Sequence, residues 1–501
     1  MCVILPRWRR PCLFLWFFAL VGEASLRGGG GSSSPFVFVI RSSTASPRAA
    51  AQAGRLSKQL VQQGVPSSAI RMLHAEEGGE RGEFVHTHGY WTLTPYVPRL
   101  HKAGQALGAA WYVFVEPTTA VDVRALRAAL AVRAHGDDWF VGHKLMDKSG
   151  SITHEYNTAI GYPLDRAGFA VSRGLMADLA ARFASRGAEG LPRDFHIDAT
   201  WSFAKHILDE THGKVKITDD AAFCAGSSGA SAARLGHPRP GCGTQAVREK
   251  FSEWKFSGSE LSGKDVIIAV KTTKIFHAVR LPVQKATWIA DRPPGMEVVF
   301  MSETEDQSVP TIDLTKEWPK LLKVDSETAT GHCAKCHALL KTLAKRWPSK
   351  KWYVVVDDDT MMSIPRLLDL LRTYDSSKPV YLGQRYAYAH TGGENPQGAD
   401  YVTMGGGMAM SGTMLKRVLK CEECYCPTPN QPDDMRIGSW VDVEMGLPIS
   451  HEDGFHQAEM SNYHDEVLAS QNIVSFHKFR DLEDAKQGYN KWLLDSHHKE
   501  L

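Results

Sequence analysis

The residues best suited to chemistry in this chain form short groups, each at the end of an apolar run. The first is Asp357-Asp358-Asp359, which closes Lys351–Thr360 (KWYVVVDDDT). An aromatic pair and three valines read as a buried strand. Three adjacent carboxylates at its exit repel one another, which a cation would relieve. The plainer reading is an N-cap and a solvated turn before a helix beginning near Ile364. A second group, Lys271-Thr272-Thr273, follows the apolar run Val266–Val270, with Arg280 a few residues on. A cation and hydroxyls there suit a nucleotide; a solvated loop and a helix-face arginine are the alternative. Gly405-Gly406-Gly407 would let backbone approach a ligand closely, or form a flexible turn. Asp433 and Asp434 precede a helical pattern over Ile437–Met445, as a cap or as a base facing a ligand. His477 ends the strand-like run Ile473–His477. A lone histidine is usually structural, but beside three aspartates an imidazole can complete a site for a divalent transition ion.

The elements that must position these groups alternate strand-like and helical patterns, which predicts an α/β architecture with a largely parallel sheet. Strands are expected at Glu297–Met301 and Val380–Gly383, and helices at Phe276–Trp288 and Gly331–Trp347. In open α/β sheets ligands sit at the carboxyl ends of strands, where the aspartates fall.

The chain also repeats itself. Trp111–Thr119 matches Trp352–Thr360, Val141-Gly142 matches Leu382-Gly383, and Gly168–Ser172 matches Gly407–Ser411. Pro192–Ile197 matches Pro432–Ile437, and the opening run Phe36–Ser43 matches Val266–Thr273. Where the second copy has three aspartates, the first has Glu116-Pro117-Thr118. Ala222-Phe223-Cys224 reads as the counterpart of Val474–His477. The first copy therefore reads as intact in fold and disarmed in chemistry, with Asp194 structural. The expected domains are 35–225 and 264–495, joined by a Gly/Ser/Pro-rich linker over 226–263.

Net charge is +2, so composition suggests neither nucleic acid nor an anionic membrane as partner. Arg7, Arg9 and Arg10 followed by the apolar run Cys12–Val21 read as a signal peptide over 1–24. That run is short of the about 20 residues that span a bilayer; left uncleaved, it would be a membrane anchor. The tail His498–Leu501 is similar to a retrieval signal of the endoplasmic reticulum lumen and would be read by a retrieval receptor. Seven of the nine cysteines lie beyond the signal. In an oxidising lumen they are expected to pair, with local bonds favoured and one left over. Cys333 and Cys336 as a redox pair, or a zinc site with Cys421, Cys424 and Cys426, are the alternatives.

The ordered set VKTTKIFHAVRLPVQKATW, WYVVVDDDT, GGGMAMS, PDDMRIG, GFHQ and VSFHKF resembles glycosyltransferase family 31, the group of Fringe and the core-1 galactosyltransferases. The resemblance covers about Lys264–Lys491, with a degenerate version over Pro35–Cys224. It implies two tandem GT-A-type (Fringe-like) domains, the first degenerate and the second catalytic. The doubled plan and retrieval-like tail are most similar to members that add glucose, β-1,3, to O-linked fucose on thrombospondin type 1 repeats. The donor would then be UDP-glucose, the metal Mn²⁺, and the acceptor an O-fucosylated repeat protein. By resemblance Asp357, Asp358 and Asp359 bind the metal and the donor diphosphate, and His477 completes the metal shell. Asp434 is the base beside Asp433, and Lys271, Thr272, Thr273, Arg280 and Gly405–Gly407 lie in the donor region. The family's second histidine after GFHQ is replaced by Ala458, which moves the ligand role to His477. The implied location is the endoplasmic reticulum lumen, or a Golgi membrane if the N-terminal segment stays. Other donor sugars of the family, a non-catalytic lectin or chaperone of this fold, and a calcium-binding structural protein are the competing readings.

Overall fold

The computed structural model describes residues 34–43, 45–73, 92–186, 197–226, 238–254, 260–322, 331–388, 399–479 and 481–494. The expected signal peptide, Asp194, the tail 498–501 and parts of the expected linker lie outside them. Among the described residues no helix is long and apolar enough to cross a membrane.

Two sheets organise the chain. The first comprises β1 (Phe36–Ile40), β2 (Ile70–Met72), β3 (Trp111–Val115), β4 (Phe140–Gly142), β5 (Phe169–Ser172) and β6 (Thr218–Asp219), in the order β2-β1-β3-β5-β4-β6. The second comprises β7 (Val266–Lys271), β8 (Glu297–Ser302), β9 (Thr311–Asp313), β10 (Trp352–Asp357), β11 (Tyr381–Gly383), β12 (Met408–Ser411) and β13 (Ser450–His451), in the order β9-β8-β7-β10-β12-β11-β13. The orders coincide apart from the extra edge strand β9. Strand directions coincide too: β5 and β12 run antiparallel to both neighbours, while the other pairs are parallel.

Both sheets are buried on their two faces, so the central strands are continuous apolar runs rather than alternating ones. In β10, Trp352, Val354 and Val356 enter one core, while Tyr353 and Val355 enter the core on the opposite face. In β3, Tyr112 and Phe114 face one way and Trp111, Val113 and Val115 the other. The carboxyl ends of β7 and β10 are in register, with Lys271 level with Asp357. Likewise Ile40 pairs with Val115, which puts Arg41 and Glu116 at the matching exits of β1 and β3.

Each half also carries a small three-stranded sheet. In the second half, Thr360–Met362 pairs antiparallel with Ser475–His477, which runs parallel to Phe455–His456. In the first, Thr119–Val121 pairs antiparallel with Thr244–Ala246, which runs parallel to Phe223–Cys224. This corrects the sequence matching. Thr244–Ala246, not Ala222–Cys224, occupies the place of Ser475–His477. Ala246 lies opposite Thr119 as His477 lies opposite Thr360. Three residues of the expected linker are thus a buried strand.

Other expectations shift in detail. The helix expected over Ile437–Met445 begins at Asp433, runs to Ser439 and continues as a wider turn over Trp440–Glu444. The helices His277–Ala286 and His332–Arg346 lie inside their expected spans. Two of the three disulfides are local, as expected, and one is not. Cys333 bonds Cys426, 93 residues away, while Cys224 bonds Cys242 and Cys421 bonds Cys424. Among the described residues Cys336 is the free thiol, and it is buried; with Cys333, Cys421, Cys424 and Cys426 all in disulfides, neither a Cys333–Cys336 redox pair nor the expected cysteine zinc site forms. In the chain-entropy view, a link closing so long a loop contributes roughly 4–5 kcal/mol.

The two halves meet across a charged seam. Arg48 of the first helix lies 2.5 Å from Glu452, which also accepts from Tyr374 at 2.5 Å. Arg166 pairs with Asp453 and donates to the Ser470 carbonyl at 2.8 Å.

Candidate active site

The strand end and the small sheet together build the acidic cluster. β10 delivers Asp357 at its last position, and the turn that follows carries Asp358 and Asp359 into Thr360–Met362. The pairing of Thr360 with His477 brings the histidine over that turn. His477 Nε2 lies 2.9 Å from Asp359 and 3.8 Å from Asp357. One ligand atom from each of Asp357, Asp359 and His477 falls within 4.8 Å of the others. His477 Nδ1 lies 3.0 Å from the Gln457 carbonyl. A proton on Nδ1 leaves the Nε2 lone pair facing the carboxylates, the orientation that metal-binding histidines commonly show.

Burial opposes charge here; it raises the Asp358 carboxyl, but at Asp359 and His477 the neighbours outweigh it. His477 and Arg280 hold Asp359 below the usual carboxylate range. Asp359 and Asp357 raise the imidazole. Asp357 Oδ1 is buried and accepts no hydrogen bond, its near cation being Lys271 at 3.0 Å. Two carboxylates and an imidazole gathered this closely fit a divalent transition cation.

The glycines serve this cluster rather than standing apart from it. A Cβ on Gly405 would collide with the His477 ring, so only glycine lets the imidazole in. The Gly405 carbonyl accepts from Thr360 Oγ1 at 2.8 Å, and Gly406 donates to Gln457 at 2.7 Å. Gly407 adopts φ of +105° with Phe455 packed against it.

Around the cluster runs a layer of cations and amides. Lys271 spans Asp357 and Asp433, at 3.0 and 2.5 Å; these two carboxylates outweigh burial and raise its ammonium. Arg280 holds Asp358 at 2.6 Å and Asp359 at 3.2 Å. Thr272 donates to Asp358 at 2.6 Å. Thr273 points elsewhere, donating to Glu303 at 2.6 Å, and Glu303 in turn pairs with Lys335 at 2.8 Å. Asp433 is committed to Lys271. Asp434, half-buried, accepts from the Met435 amide at 2.8 Å. Burial and the neighbouring Asp433 push the Asp434 carboxyl up to about 7, which suits a general base near neutrality. His456 is a packing residue, bonded to the Gly454 and Ser475 carbonyls and to Gln471.

Sequence reading missed Gln284 and Trp288. Gln284 donates to the carbonyls of Asp358 and Thr360 at 2.6 and 2.9 Å; Trp288 donates to Gln284 and Thr360 at 2.7 and 3.1 Å. Arg280 and Gln284 share one face of the helix His277–Ala286, and Trp288 continues the four-residue spacing just past its end. That spacing was the available signal.

Comparison with known proteins defines the class. A Fringe-like family model matches residues 261–492. Mouse beta-1,3-glucosyltransferase is 33% identical over 471 residues, covering 92% of this chain and 86% of that protein. The human protein of the same name is 32% identical over 470 residues, covering 92% and 85%. Mouse beta-1,3-N-acetylglucosaminyltransferase lunatic fringe is 27% identical over 263 residues, covering 47% and 62%. The chain is a hexosyltransferase. It belongs to the Fringe-like glycosyltransferases of family 31.

Proposed function

We propose that the chain is an inverting β-1,3-glucosyltransferase that moves glucose from UDP-glucose to O-linked fucose on thrombospondin type 1 repeats. The observation that carries this reading is the identity to the two beta-1,3-glucosyltransferases, which extends over 92% of the chain and so through both halves. The second half is read as a GT-A domain and the first as its degenerate duplicate; their shared strand order and directions support this.

Asp357, Asp359 and His477 would hold Mn²⁺, with Asp358 kept in place by Arg280 and Thr272. Bound there, the cation supplies charge neutralisation for the diphosphate leaving group. Asp434 takes the proton from the fucose hydroxyl as that oxygen attacks the glucose C1, and the C1–O bond to UDP breaks with inversion. Lys271 holds Asp433 and Asp357 in fixed relation, so that base and donor ends of the site keep their spacing. The proposed setting is the endoplasmic reticulum lumen, with a retrieval receptor reading the tail.

The test is transfer by the secreted protein to an O-fucosylated thrombospondin repeat from UDP-glucose, UDP-galactose or UDP-N-acetylglucosamine, with and without Mn²⁺. Cation-dependent glucose transfer, lost in Asp359→Asn, is the expected result. Transfer of another sugar would keep the mechanism and discard the donor. No transfer from a folded protein to a verified acceptor would reject the reading.

A further inference from the structure

The first half keeps a cleft where the second half keeps its acidic cluster. A cavity of about 410 Å³ opens at the carboxyl ends of β1 and β3, within the range of about 300–1,000 Å³ usual for small-molecule sites. Arg41, Ser42 and Ser43 line it from the end of β1, and Glu116, Pro117 and Thr118 from the end of β3. These are the sheet positions of Lys271–Thr273 and Asp357–Asp359. The second half closes the far wall with Gln384, Asp453 and Tyr463.

The chemistry of the lining has changed in a definite way. Arg41 stands where Lys271 stands and likewise spans two carboxylates, pairing with Glu116 and lying 2.7 Å from Asp165. Pro117, Thr118 and Ala246 replace Asp358, Asp359 and His477, so the ligand set of the second half is not repeated at these positions. What remains is a cleft in which Arg41, Arg48 and Arg166 are each paired with a carboxylate, Asp165, Glu452 and Asp453, while Asp198, Asp400, Asp442 and Arg385 also line it. With carboxylates in excess such a lining does not favour an anion, and among the described residues it gathers no group of three ligand atoms for a cation. It presents donors and acceptors side by side, and Arg41 Nη1 is buried with no acceptor of its own. Tyr162 and Leu164 add apolar surface. A half kept only as scaffold would gain stability by filling this space with packed side chains, since enclosed charges cost desolvation. The matched pairs and apolar faces suit a neutral polyhydroxylated ligand.

We propose that the cavity between the halves is a second, metal-independent saccharide site that takes one or two neutral hexose units. The site also touches the catalytic half. Gln384 accepts from the Gln457 amide at 2.7 Å, and the Gln457 carbonyl faces His477.

The proposal does not depend on which sugar the enzyme transfers. Its test is saturation-transfer NMR on the full protein, held in saturating UDP and Mn²⁺, with methyl β-glucoside, methyl α-fucoside and glucosyl-β-1,3-fucose as probes. Ser43→Trp fills the cavity from the β1 end. UDP affinity measured on the same sample reports whether this variant has folded, and Thr118→Tyr fills the cavity from the β3 end as a second variant. Expected is a saccharide signal that survives UDP and is lost in both variants while UDP affinity is kept. A signal abolished by UDP, a signal unchanged in a folded variant, or no signal from any probe would each overturn the proposal. A failed transfer assay alongside a UDP-resistant saccharide signal would reject the proposed reaction and leave this site standing.

Discussion

At the ends of their matching strands the two sheets hold nearly the same scaffold and different chemistry. Lys271 and Arg41 each bridge two acids. Thr360 and Thr119 each start a short strand that pairs antiparallel with a late one. Yet one side presents Asp357, Asp359 and His477, and the other Glu116, Thr118 and Ala246. The strand order sets where a site can be, while three side chains set whether a divalent cation can be held there.

The comparison can be broken most severely at Asp434, the proposed base of the second half. Asp434→Asn is expected to lower transfer ~10²–10⁴-fold while UDP and Mn²⁺ still bind; steady-state kinetics with calorimetry on one sample checks it. Next is the seam joining the regions. Arg48→Ala would leave Glu452 buried without its cation, a loss of about 3–5 kcal/mol, read from denaturant unfolding of the whole protein. Gly405→Ala tests the cradle directly. Its methyl would displace the His477 ring, and Mn²⁺ affinity should fall about 10-fold, measured by calorimetry, with the fold intact by circular dichroism. The smallest effect concerns pH. Asp434 acts as base only when ionised, so transfer should rise with pH through about 7. Removing the adjacent charge in Asp433→Asn should move that limb to lower pH, seen in the pH profile of kcat/KM.

These contrasts also show what a sequence can disclose. Asp357–Asp359 stood out because three carboxylates at the end of an apolar run have no packing explanation. His477 could be grouped with them only because the run before it read as a strand. The α/β order and the central strands were legible for the same reason, as long apolar runs resist other interpretations. Thr244–Ala246 was not legible, because three residues inside a Gly- and Pro-rich stretch carry no measurable period. Lys271 and Asp433 are 162 residues apart, and nothing local announces that one neutralises the other. The role of Gly405 depends on a ring arriving from His477, a contact that composition cannot express.

The bond between Cys333 and Cys426 has a consequence for how the chain is made. Cys426 is synthesised 93 residues after Cys333, whereas Cys336 follows within a single turn of the same helix. On a growing chain the first thiol within reach of Cys333 is therefore not its native partner. Correct pairing needs the helix to turn Cys336 inward before oxidation, or an early bond to be exchanged later. The native bond therefore cannot close until the segment leading to Asp433 has been synthesised as far as Cys426.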